Sequence, residues 1–205
     1  MEITDAETFA RDWTVIDVNS DVSANTWAYN DGNAMYTQDK SNAADDWLIA
    51  PAVTLEAGKA YKVSAYVKHS STFGSDKQKI ELKIGTAPTV EGLTTRLVYD
   101  ESFQSRLFVE KSGTFSPAES GVFYVGLRCY SESYNGDLYF QKIVIEEAPV
   151  YPAQITDLSI VAGERGAMSA TLSWTWPSSD HLGGALSNLL GAKIYPVSYT
   201  HLTLP

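Results

Sequence analysis

The sequence predicts an all-β protein built on an antiparallel two-sheet sandwich. Three observations carry this. Apolar and polar residues alternate with a period of two in several segments, as in Tyr61, Val63, Ala65 and Val67 against Lys62, Ser64, Tyr66 and Lys68. Short apolar runs are separated by Gly, Pro, Asn, Asp and Ser clusters rather than by helical patterns. Aromatic residues make up 12% of the 205, with Tyr the commonest, a composition that suits pleated, half-buried faces.

Taken in order, residues 1–20 hold Phe9, Trp13, Val15 and Ile16 and read as an opening strand, with Trp13 and Val15 on one face. Asp17 to Lys40 is rich in Asn, Asp, Ser and Gly and reads as a long ordered loop studded with Trp27, Tyr29, Met35 and Tyr36. Loops of that length are uncommon in compact domains unless functional or held in place. Asp45 to His69 reads as two strands, the first around Trp47-Leu48-Ile49 and the second from Tyr61, with Glu56-Ala57-Gly58-Lys59 as the turn. Lys77 to Gly85 follows, with Ile80, Leu82 and Ile84 inward and Lys79, Glu81 and Lys83 toward solvent. Leu93–Tyr99, Arg106–Phe115, Gly121–Tyr130 and Asp137–Glu146 complete the set. Seven or more strands punctuated by turns favour a jelly-roll sandwich over a parallel α/β sheet.

Pro149 and Pro152 stiffen the stretch around Ala148–Pro152 and mark a domain boundary. The expected organisation is therefore a first domain over 1–149, a partial second one over 150–195, and a tail over 196–205 that does not continue its pattern.

Composition excludes several function classes. A formal charge of −10, with Lys and Arg scattered along strands, argues against nucleic acid as partner. No segment approaches the roughly 20 apolar residues of a membrane helix, so direct membrane insertion is not expected. The opening Met1-Glu2-Ile3-Thr4-Asp5 is not a secretory signal. Cys129 is the one cysteine; it lies on the apolar face of Phe123, Val125 and Leu127, which predicts a buried, inert thiol. The histidines His69, His181 and His201 belong to no catalytic or metal-binding motif, and no catalytic residue is assigned.

The wording of the Asp45–His69 segment, Asp-Asp-Trp-Leu-Ile-Ala-Pro followed by Gly58-Lys59-Ala60-Tyr61-Lys62-Val63-Ser64, resembles the cleaved-adhesin or choice-of-anchor jelly-roll domains of bacterial surface proteins. Residues Ile155–Ile160, Gly163, Gly166 and Ala170–Pro177, with Trp174 as a core tryptophan, resemble the opening strands of a fibronectin type III domain, an immunoglobulin-like sandwich that is incomplete here. The terminal residues 196–205 resemble a translated sequencing adapter. These resemblances imply a fragment of a larger extracellular or cell-surface protein and a non-catalytic module recognising a host protein, a matrix component or a glycan. A carbohydrate-binding module of a glycan-degrading enzyme and a structural spacer are the alternatives.

Two residue sets are candidates for binding. Asp17, Asn19 and Asp21 stand at alternate positions after the first strand and turn oxygens toward one point, with Asp45 and Asp46 as a second acidic pair. The adhesin resemblance implies a structural calcium there, an ion that takes about six to eight oxygen ligands. The final strand departs from the family, reading Phe140-Gln141-Lys142-Ile143 where acidic residues are common. Trp27, Tyr29, Tyr36, Tyr130 and Tyr134 lie in polar surroundings and are the expected ligand-contacting rings, suited to sugar faces or to a protein partner.

Overall fold

The computed structural model describes residues 1–20, 25–71, 76–167, 169–181, 183–186 and 189–194. They fall into two compact units, Met1–Pro149 and Val150–Pro205.

The first unit opens on α1 (Ala6–Asp12), which takes the Phe9 end of the expected opening strand, while Val15 and Ile16 do lie in a strand. Asp5 caps it by accepting the Thr8 N–H at 2.8 Å, and Phe9 is its buried residue. The strands that follow are β1 (Thr14–Asp17), β2 (Trp27–Asn30), β3 (Asn33–Tyr36), β4 (Asp46–Ile49), β5 (Val53–Leu55), β6 (Ala60–His69), β7 (Gln78–Gly85), β8 (Thr95–Phe103), β9 (Val109–Phe115), β10 (Gly121–Cys129) and β11 (Leu138–Ala148). Two antiparallel sheets form. One runs β1-β4-β10-β7-β8 with β5 also on β10; the other runs β2-β3-β11-β6-β9. Their facing sides enclose one core that includes Trp13, Leu48, Val63, Val67, Ile80, Leu82, Leu127 and Phe140.

Two sequence expectations change. The Asp45–His69 segment is not a hairpin: β4 and β5 belong to one sheet and β6 to the other, so the Glu56–Lys59 turn carries the chain across the sandwich. The expected Asp17–Lys40 loop contains the β2–β3 hairpin, closed by Asp31 (φ 45°) and Gly32 (φ 75°). Positive φ at both central residues is the two-residue turn whose twist matches paired strands, and Asp-Gly is a favoured pair for it.

A register shift between Phe140 and Lys142 in β11 marks an irregularity at Gln141. The extra residue restores parity, so that Phe140 and Ile143, three apart, both reach the core.

In the second unit, β12 (Ser159–Ala162) pairs with β13 (Ala170–Ser173). Ile160 and Val161 are exposed, and Trp174 is half buried against Trp176, with ring centroids 5.4 Å apart.

Candidate functional site

Strand register sets one row of side chains across the outer face of the larger sheet. Ile16 pairs with Trp47, Trp47 with Arg128, Arg128 with Glu81, and Glu81 with Tyr99. Directly paired residues share a face, so five strands contribute neighbours to one line.

The row divides into an apolar and a polar half. Trp47 and Ile49 are covered by Leu93, with Ile16, Val90 and Tyr124 around them. Gly126 makes room: a Cβ there would stand 2.3 Å from Leu93 Cδ1 and 3.1 Å from Trp47 Cε3. The other half stays open, and it centres on Glu81.

Glu81 was expected in solvent. The alternation did place it on the outer side, but it is only 2% exposed because cations close over it. Arg96 Nε donates to Oε1 at 2.6 Å, Lys83 Nζ lies 3.6 Å from the same oxygen, and Arg128 Nη1 lies 3.6 Å from Oε2. Arg128 also forks onto Asp45, at 2.7 and 2.8 Å. The planar guanidiniums are thereby fixed, and each lies over a ring: Arg96 at 4.6 Å from the Tyr99 centroid, Arg128 at 5.0 Å from that of Tyr130. Tyr99 and Tyr130 stack on each other, 6.0 Å apart and 23° from parallel. Burial, reinforced by Tyr99, pushes the Tyr130 hydroxyl's pKa up. Tyr99 is 49% exposed and donates its hydroxyl to Glu101 at 2.7 Å. The result is a pair of rings locked in place on an open sheet face, flanked by cations whose charges are already matched.

Of the expected ring set, Tyr130 belongs to this face. Trp27, Tyr29 and Tyr36 do not. They point inward from the β2–β3 hairpin, Trp27 and Tyr36 each 2% exposed and edge-on at 6.2 Å, Tyr29 packed against the core. Trp27 donates its ring N–H to the Asp46 carbonyl at 3.2 Å. Hairpin alternation, unseen in the sequence, buries them. Tyr134 is 63% exposed on the β10–β11 loop, where it lines a cavity with Gln38, Ser70, Asp76 and Arg106. Tyr99, Arg96 and Arg128 were not anticipated; the outward parity of their strands was readable, but which residues become neighbours across strands was not.

The acidic set separates. Asp45 points outward and is taken by Arg128, a cation where calcium would need an oxygen. Asp17 and Asp46 are register partners and share the inward face. Asp17 accepts the Ser20 N–H at 2.6 Å, and Asn19 donates its side-chain N–H to the Ala43 carbonyl at 2.7 Å. Asp21 lies outside the described residues. Among the described residues no group of three or more His, Cys, Asp or Glu side chains is placed to hold a metal ion. Of the expected set, register brings Asp17 and Asp46 onto one face.

Cys129 is fully buried, and burial pushes its thiol up to about 12. Gln78 Oε1 accepts from it at 3.4 Å, which fits the inert thiol expected.

No family model matches this chain, and no curated protein matches it. Among solved structures it is similar to the K1 cleaved adhesin domain of Lys-gingipain from Porphyromonas gingivalis W83, at 15% identity over 67% of this chain and 91% of that one, with a TM-score of 0.50. It is also similar to the K3 cleaved adhesin domain of the same protein, at 12% identity over 65% and 90% with a TM-score of 0.49. A CBM4 structure matches at 16% identity over 71% and 93% with a TM-score of 0.47. At such identities what is shared is the architecture, and the chain contains a jelly-roll β-sandwich of the kind seen in the K1 cleaved adhesin domain.

Proposed function

We propose that the first unit is a non-catalytic, extracellular binding module that takes a glycan on the outer face of its larger sheet. The Tyr99–Tyr130 stack carries this reading: two rings held side by side, with the Arg96 and Arg128 guanidiniums over them, form a preorganised surface of aromatic and polar groups. Such a surface matches the alternation of apolar C–H faces and hydroxyls on a sugar, and ordering its side chains beforehand reduces the entropy lost on binding. The architecture shared with the K1 cleaved adhesin domain agrees with a recognition role.

Chemistry at the face is passive. Its buried carboxylate, Glu81, is enclosed by Arg96, Lys83 and Arg128 and holds them in place. Binding of soluble neutral polysaccharides by the full chain, compared with Tyr99→Ala, tests the proposal. Capture of a matrix protein with no response to sugars would instead favour the protein-binding adhesin, and neither response would leave a spacer.

For the second unit we propose the opening strands of a fibronectin type III sandwich, supported by the β12–β13 pair and by Trp174 beside Leu172, Ile155 and Leu158 around one apolar groove.

A further inference from the structure

A second site lies where the β6 end, the β8–β9 connection and the β10–β11 loop meet, and it is independent of the sheet-face platform. Two adjoining cavities open there. The smaller, about 200 Å³, is lined by Lys68, Ser70, Arg106 and Tyr139; the larger, about 320 Å³, shares Ser70 and Arg106 and adds Gln38, Asp76 and Tyr134.

The smaller cavity carries two cations. In a chain where 25 acidic residues outnumber 15 basic ones, most cations of the first unit sit in ion pairs. Lys68 and Arg106 form none among the described residues. Lys68 is held instead between two rings, its Nζ 4.3 Å from the Tyr139 centroid and 4.9 Å from that of Phe108. The His69 N–H donates to the Ser105 carbonyl at 2.7 Å, which ties the Arg106 loop to the Lys68 strand. Two cations, neither in an ion pair among the described residues and Lys68 held between rings, line one cavity and form a receptor for an anion.

The larger cavity supplies what surrounds that anion. Tyr134 sits exposed in the left-handed region (φ 66°), a conformation that a non-glycine residue keeps only where the surroundings impose it. They do: the Tyr134 N–H donates to the Asp39 carbonyl at 2.8 Å, Gly136 N–H to Gln38 Oε1 at 2.8 Å, and Gln78 Nε2 to the Gly136 carbonyl at 2.6 Å. Asp76, which accepts from the Ser71 hydroxyl, adds a carboxylate to this cavity and leaves Lys68 and Arg106 as its cationic end.

We infer that this groove binds an acidic saccharide, a hexuronate unit whose carboxylate meets Arg106 and Lys68 while Tyr134 covers the face of the adjoining sugar. The guanidinium fork matches a planar carboxylate, and the ring matches an apolar sugar face. The test is calorimetric titration of the full chain with oligogalacturonate and with the uncharged oligogalactoside. The acidic oligomer is expected to bind with an affinity that falls as salt rises, and the neutral one at least tenfold more weakly. Arg106→Gln, an exposed position, should weaken the acidic oligomer about tenfold, Lys68→Gln similarly, and Tyr99→Ala should leave it unchanged. Equal binding of the two oligomers, unaltered affinity in both Arg106→Gln and Lys68→Gln, or loss in Tyr99→Ala alone would overturn the inference. The last result would place the sugar on the sheet face, and no binding of oligogalacturonate would refute this groove while leaving the platform untouched.

Discussion

Arg96 Nε lies 2.6 Å from Glu81 Oε1 across the β7–β8 pair, and this bond holds the open sheet face in one arrangement. The two differ in setting: the Glu81 side chain is 2% exposed, that of Arg96 58%. Removing the carboxylate leaves Arg96, Lys83 and Arg128 crowded around an apolar gap, whereas removing Arg96 leaves two other cations near Glu81. Glu81→Ala should therefore destabilise by about 2 kcal/mol, less than a fully buried pair because the arginines can turn to water, and Arg96→Ala by about 1 kcal/mol. Urea unfolding of both variants checks the order. A larger loss in Arg96→Ala would show that the guanidinium, not the carboxylate, organises the face.

Rings on the surface and rings in the core should respond in opposite ways. Trp27→Ala removes a buried ring from the core and should cost about 3–5 kcal/mol of stability. Tyr99→Ala leaves the core intact and should cost no more than about 1 kcal/mol, chiefly the lost stacking on Tyr130. Chemical denaturation of the two variants side by side distinguishes these roles.

Acid should weaken the sandwich through Asp100. Partial burial raises its pKa, but Lys111 Nζ at 2.7 Å and the Ser102 N–H at 2.9 Å outweigh burial and hold the carboxyl below its ordinary value. A depressed folded pKa means the stabilisation is complete above the unfolded value of about 4 and is lost as pH falls through the folded one. Melting temperature measured from pH 6 down to about pH 2 should drop more steeply for the parent than for Asp100→Asn. Parallel curves would remove Asp100 from the acid response.

Calcium remains a proposal that rests on Asp17 and Asp46, the pair that register brings onto one face. If an ion binds there, excess calcium raises the melting temperature by mass action relative to EDTA, and Asp46→Asn abolishes the rise. Identical melts in calcium and EDTA would reduce the pair to structural hydrogen bonding.

The second unit should be the first to be cut by a protease. Its β12–β13 pair leaves Ile160 and Val161 more than half exposed, and a two-stranded ribbon is marginal by itself. Limited proteolysis followed by mass spectrometry should leave a fragment ending near residue 149; equal resistance of both units would contradict this.

The strands of the first unit were legible wherever one face is buried. Val63, Ala65 and Val67, or Ile80, Leu82 and Ile84, announce themselves because period two is the geometry of a pleated strand. The β2–β3 hairpin was missed: its strands are four residues each and its surroundings polar, so Asp31-Gly32 did not stand out as a turn between strands. α1 was harder, since seven residues with one buried side chain carry little periodicity. The binding face was not legible. Glu81 between two lysines looks like solvated charge until strand pairing sets Arg96 and Arg128 beside it, and that pairing joins positions distant in sequence.

Affinity electrophoresis of the full chain and of Tyr99→Ala through gels containing soluble neutral polysaccharides tests the central claim most directly. The parent should be retarded by at least one of them, and Tyr99→Ala should migrate as in a sugar-free gel while melting within about 4 °C of the parent. Retardation that survives in Tyr99→Ala, or a parent that no polysaccharide slows, would contradict the sheet face as a glycan platform.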